Sequence, residues 1–154
     1  MAVYFLESSA LVKRYAVEDG TAWVRDLSEA NAGNTFFIAQ ITGVEAVAAI
    51  TLRARRGSMT AEEAGFAIAH FRQDFDRMLY TIPVVLTIIA RAMDLAERHA
   101  LRGYDAVQLA SALQVQVERQ AYGLSSPIFL SADNNLNAAA AAEGLAVDNP
   151  NSHP

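Results

Sequence analysis

Four acidic residues stand alone in apolar surroundings. Glu7 is the only charged residue before Lys13, and Glu45 is the only one between Glu29 and Arg53. Asp105 is the only one between Arg102 and Glu118, and Asp133 the only one between Arg119 and Glu143. A carboxylate in an apolar setting is costly unless it is paired or coordinates a metal. Four brought together would repel one another and hold their protons more tightly unless a cation were present. No Lys, Arg or His accompanies all four in sequence. Hard carboxylate oxygens suit Mg²⁺ or Mn²⁺, ions that keep several waters and add substrate phosphates as ligands. Such an ion makes hydroxide from water and stabilises charge on a phosphate in flight.

Each acid also has a plainer reading. Glu7 at a strand end would cap the next helix. Asp105 near a helix start would complement the dipole. Asp133 would start a turn. Glu45 is hardest to dismiss, because GVEAVAAI is apolar on nearly every side. The constellation is more specific than any member.

The elements must then bring the four together. Apolar runs predict strands over residues 2–6, 35–39, 128–130 and 146–148, with a further short strand inside 80–85. Between them, helices are expected over 20–30, 42–56, 87–99, 104–122 and 134–143, with Ser8 or Ser9 capping a short one near the N-terminus. Thr60 and Glu63 form a capping box for a helix running to about Leu79. Short strands separated by helices predict a parallel α/β sheet with helices on both faces. In such a sheet, strand C-ends and helix N-ends share one edge, where ligand crevices form. All four acids are expected to converge at that edge. One domain over residues 1–154 is expected, with 149–154 as an irregular tail because of its two prolines.

Composition removes other chemistries. The 154 residues include no cysteine, which excludes disulfides, thiolate zinc sites and thiol catalysis and suits a reducing cytoplasm. No signal peptide is visible. The apolar stretch MLYTIPVVLTIIA is broken by Pro83 and is too short for a bilayer, so no membrane association is expected. The net charge is −5, which is not the pattern of a protein that grips long nucleic acid by bulk charge. The basic set is eleven Arg with Lys13 alone. Arginine suits bidentate phosphate contact, and a GC-rich genome explains the same bias. Lys13, Arg14 and Arg102 are the cations nearest the acids and are read first as ordinary surface charges. The RARR run at 53–56 is read as a solvated helix end. His70, His99 and His153 are expected to be uninvolved, and no Ser-His-Asp arrangement is readable. No glycine-rich phosphate loop exists. An aspartyl phosphatase would need an acid two residues after the first, where Ser9 stands.

The segments YFLESSALVKRY, QITGVEAVAAI, LRGYDAVQLASAL and FLSADNNLNAAAAAEGL resemble, in order and spacing, the four motif blocks of the PIN-domain family. Within it they resemble the small VapC-type toxins of prokaryotic toxin–antitoxin pairs. The resemblance covers nearly the whole chain. It implies a five-stranded parallel sheet of order 3-2-1-4-5 flanked by helices. It implies an Mg²⁺- or Mn²⁺-dependent endoribonuclease, a cognate antitoxin that docks in a groove, and a homodimer. The apolar helical stretches 42–50 and 106–115 would serve either the core or dimerisation. The family's four acids fall on Glu7, Glu45, Asp105 and Asp133. Its small hydroxyl after the first acid falls on Ser9, with Ser8 as the second choice, and its hydroxyl before the fourth acid on Ser131. These would hydrogen-bond a carboxylate or a bound water. Asn134 and Asn137 are weaker candidates, and capping explains Asn134 equally well. The family's first acid is usually Asp, and here it is Glu7. The extra methylene moves the oxygens out by about one C–C bond, about 1.5 Å. Two rival readings remain: a PIN-fold interaction protein that has lost catalysis, and a DNA or structure-specific nuclease.

Overall fold

In the strand Val3–Leu6 (β1) every side chain is buried. A strand buried on both faces belongs in the middle of a parallel sheet. The computed structural model, which describes residues 1–154, places it there. Five strands run in the order β3-β2-β1-β4-β5, with β2 Thr35–Ala39, β3 Leu79–Ile82, β4 Ile128–Leu130 and β5 Ala146–Asp148. Every pair is parallel; Tyr4 lies beside Phe36 on one side and Ile128 on the other.

Alternation along the strands divides the interior into two cores. Tyr4, Leu6, Phe36 and Ile38 face the helices α1 (Ser8–Leu11), α3 (Thr42–Arg55) and α4 (Ala61–Arg77). Phe5, Ala39 and Phe129 face α5 (Leu86–His99), α6 (Gly103–Ala121) and α7 (Asn134–Ala142). Phe5 stacks on Phe129 with ring centroids 5.9 Å apart. The remaining helix, α2, spans Thr21–Leu27. No helix is long and apolar enough to cross a membrane.

The chain moves outward from β1 through β2 to β3, then returns to place β4 on the opposite side of β1. The strand order therefore reverses between β1 and β4, and a crevice opens beyond their C-terminal ends. The loops leaving these strands carry Glu7 and Asp133.

Three expectations need correction. The first helix is capped by Glu7, whose carboxylate accepts from the Ser9 amide, not by Ser8 or Ser9. The helix after Thr60 ends at Arg77, and Leu79 already belongs to β3. The tail is not irregular: Pro150–Ser152 forms a 3-10 turn. Proline is pre-set for a first helical position, and the Asn149 side chain caps the Asn151 amide. The turn packs against Gly20 (φ +82°), where a Cβ would stand 2.3 Å from the Pro150 carbonyl oxygen. Only glycine allows both that backbone and that approach.

Candidate active site

The crevice is a cleft of about 580 Å³, and Glu7, Glu45, Asp105 and Asp133 all line it, with Arg102 beside them. The structure thus brings together every acid that the sequence singled out.

Glu7 continues the ladder at the end of β1, its amide donating to the Leu130 carbonyl at 3.0 Å. Its side chain is 4% exposed and folds back over α1. Oε1 accepts from Ser8 Oγ at 2.7 Å. Oε2 accepts from the Ser9 amide at 3.0 Å, from Ser131 Oγ at 3.1 Å, and from Ser9 Oγ. The two serines also accept: Ser9 Oγ from the Ala132 amide at 2.9 Å, Ser131 Oγ from the Asp133 amide at 3.0 Å. Ser9 and Ser131 therefore stitch the β1–α1 corner to the β4–α7 turn through one carboxylate. Ser8 bridges instead to Glu45 Oε2, at 3.1 Å. It has one proton, so it donates to Glu7 or to Glu45, not to both at once.

Glu45 enters from the first turn of α3. Burial raises its pKa above the ordinary glutamate value, and the charges of Glu7 and Asp105 raise it further. Hydrogen bonds from Gln108 and Ser8 oppose that rise. Gln108 was not singled out from the sequence. It is fully buried on α6, and its Nε2 donates to Glu45 Oε1 at 2.7 Å and to Thr42 Oγ1 at 2.8 Å. The available signal was its place one helical turn after Asp105 in an otherwise apolar stretch, AVQLA.

Asp105 opens α6 and accepts from Arg102 Nε at 2.9 Å. Its pKa is nonetheless raised: burial is the largest cause, Arg102 works against it, and the charges of Glu7 and Asp133 add to it. Asp133 serves two purposes with two oxygens. Oδ1 caps α7, accepting from the Asn135 and Leu136 amides at 2.9 and 3.1 Å. Oδ2 faces the cleft and meets Arg102 Nη2 at 3.4 Å. Asp133 thus caps a helix and lines the cleft at once, as Glu7 does.

The weaker candidates divide. Asn137 Nδ2 holds the Ser131 carbonyl at 2.8 Å and so supports the β4–α7 turn. Asn134 faces the tail, accepting from Asn149 at 2.9 Å. The surface reading of the cations holds for one of three. Lys13 is buried, bound to Glu18 at 3.1 Å and to the Asp19 carbonyl at 2.7 Å. Arg14 is mostly buried against Asp74 at 2.8 Å. Arg102 is 65% exposed, but it belongs to the site. Of the RARR run, Arg53 pairs with Glu18 at 2.7 Å on the cleft wall, while Arg55 and Arg56 are exposed. None of the histidines lines the cleft.

As the side chains stand, no three of the Asp, Glu and His groups close on one point to hold an ion. The donor set still suits a hard divalent cation. Burial first, and then the charges of the neighbouring carboxylates, make Glu45 and Asp105 hold their protons tightly, and the guanidinium of Arg102 lines the cleft with the four carboxylates.

No family model matches the chain. Two curated relatives from Mycobacterium tuberculosis, Ribonuclease VapC45 of strain CDC 1551 and Ribonuclease VapC49 of strain H37Rv, are each 31% identical over 115 residues. Those residues span 75% of this chain and 78% of each relative. A toxin-antitoxin complex from Klebsiella pneumoniae contains a chain of the same fold, with a TM-score of 0.58, 16% identity, and coverage of 96% of this chain and 97% of that one. With its 3-2-1-4-5 sheet and these relatives, the chain belongs to the VapC-type toxin ribonucleases of the PIN-domain family.

Proposed function

We propose that the protein is a divalent-metal-dependent endoribonuclease, the toxin of a toxin–antitoxin pair. The observation that carries this reading is the gathering of four carboxylates at the β1/β4 switch point, two with raised pKa values. Membership of a family whose relatives are named ribonucleases supports RNA as the substrate class. Asp105, Glu45 and Oε1 of Glu7 would hold Mg²⁺ or Mn²⁺, with the open oxygen of Asp133 binding a second ion or orienting water. The bound ion would supply an activated water and offset charge on the scissile phosphate. The chain's own groups do the rest. Ser9 and Ser131 fix Glu7, and Gln108 fixes Glu45 against repulsion from the carboxylates around it. Attack in line on phosphorus, with the 3′-oxygen leaving, gives a 5′-phosphate and a 3′-hydroxyl.

The test is cleavage of a mixed RNA pool in Mg²⁺ or Mn²⁺, with Asp105→Asn and Glu7→Asp alongside. Metal-dependent cleavage by the wild type, lost in Asp105→Asn by about 10³-fold, is the expected result. One observation favours a second reading, an interaction protein without catalysis: three donors occupy Oε2 of Glu7, leaving Oε1 as its freer oxygen. Cleavage by Glu7→Asp alone would establish that reading for this chain. Parallel reactions on single-stranded RNA, tRNA and DNA separate the ribonuclease from a DNA or structure-specific nuclease.

An antitoxin partner, a homodimer and a cytoplasmic setting complete the proposal. The 106–115 stretch is core and cannot form a dimer face, whereas Val44 on α3 and Leu86 and Met93 on α5 are exposed.

A further inference from the structure

Arg102 is the one cation in contact with the catalytic carboxylates. Its guanidinium reaches from the residue before α6 across to the β4–α7 turn, meeting Asp105 Oδ2 at 2.9 Å and Asp133 Oδ2 at 3.4 Å. Oδ2 is the oxygen that Asp133 would offer an ion, since its Oδ1 caps α7, and an ion on Asp105 would stand beside the same guanidinium. A guanidinium and a divalent ion repel each other and compete for that position. The other cation lining the cleft, Arg53, is committed elsewhere, to Glu18, and Lys13 and Arg14, the nearest cations to Glu7 in sequence, are likewise held by Glu18 and Asp74. Arg102 is not: it is 65% exposed and lies 5.0 Å from the Tyr104 ring centroid. Its side chain can turn outward without repacking any core. Turned out, it stands at the rim of the cleft and presents a planar fork suited to a phosphate.

We propose that Arg102 is a displaceable counter-ion, which covers Asp105 and Asp133 in the metal-free cleft and is expelled onto the RNA phosphate when a divalent ion binds. This rests on the metal-nuclease reading and adds a coupling to it. Metal binding frees the arginine that holds RNA, and RNA that engages the arginine frees the carboxylates. Each ligand therefore tightens the other.

Mn²⁺ binding to the full chain, followed by EPR without RNA, tests the first half in wild type, Arg102→Gln, Arg102→Lys and Asp105→Asn. Arg102→Gln is expected to bind Mn²⁺ about 3- to 10-fold more tightly than wild type. Arg102→Lys should fall between them, because it keeps the charge and loses the fork. The KM for RNA in Mn²⁺ should rise several-fold in Arg102→Gln. Should wild type bind Mn²⁺, Asp105→Asn fail to, and Arg102→Gln match wild type, the counter-ion is refuted and the nuclease reading stands. Mn²⁺ binding by none of the folded variants overturns both. Tighter Mn²⁺ binding with an unchanged KM overturns the transfer to phosphate. Circular dichroism confirms folding, which the exposed position of Arg102 does not threaten.

Discussion

The cleft and the charge network behind α1 use the same residue types to opposite ends. Around Asp74 the charges are matched. Arg14 Nε and Tyr15 Oη both donate to Asp74 Oδ2, at 2.8 and 2.7 Å, and Arg14 also holds Ser28. The result is mutual reinforcement: Asp74 and Tyr15 outweigh burial and hold Arg14 more firmly protonated, and burial with Asp74 suppresses ionisation of Tyr15. At the switch point one exposed guanidinium faces four acids, and two of those acids grip their protons. Matched charge locks an element in place. Unmatched charge leaves a demand for a ligand, and the fold tolerates it by giving each acid at least one donor.

The largest expected effect on stability falls on the matched side. Asp74→Ala leaves Arg14 and the Tyr15 hydroxyl without their partner beneath α4. It should cost about 3 kcal/mol, read as a drop in urea midpoint. A loss under about 1 kcal/mol would remove the contrast between the two regions.

On the site side, Gln108→Leu keeps the volume and removes the donor to Glu45 and Thr42. kcat for RNA should fall about 10-fold with KM nearly unchanged, because the change misplaces a carboxylate without touching bound RNA. A change in KM alone would reassign Gln108 to binding.

The smallest effect concerns pH. Glu45 and Asp105 bind protons more tightly in the folded chain than in the unfolded one. Without metal, their contribution favours the fold below their ordinary values of 4.5 and 3.8 and is lost as pH rises through the raised ones. Metal-free Glu45→Gln should therefore melt about 2 °C higher than wild type at pH 7, and the gap should close as the solution is acidified. Equal melting at pH 7 would mean that Glu45 carries no electrostatic penalty.

These contrasts were half legible in the sequence. The strands announced themselves as apolar runs, and the four acids as single charges in neutral stretches, because both signals are local. The strand order came through family resemblance, since pairing between residues 4 and 128 leaves no local trace. Lys13 and Arg14 passed for surface charges because what buries them is tertiary. Asp74 lies sixty residues from Arg14, and Glu18 meets Lys13 only after the chain turns. Gln108 escaped notice because a neutral amide in a helix looks like any solvated glutamine until its neighbours are known. Glu7 was readable as a cap or as a ligand, and the structure makes the cap real while leaving Oε1 less occupied.

The docked tail has an optical consequence. Trp23 is the only tryptophan, and its indole lies flat on the His153 imidazole, 4.0 Å away and within 8° of parallel. Neither residue lines the cleft. Tryptophan emission is thus a gauge of how the 149–154 segment is seated. The emission would follow the docking of that segment on α2 while events among the carboxylates pass unseen.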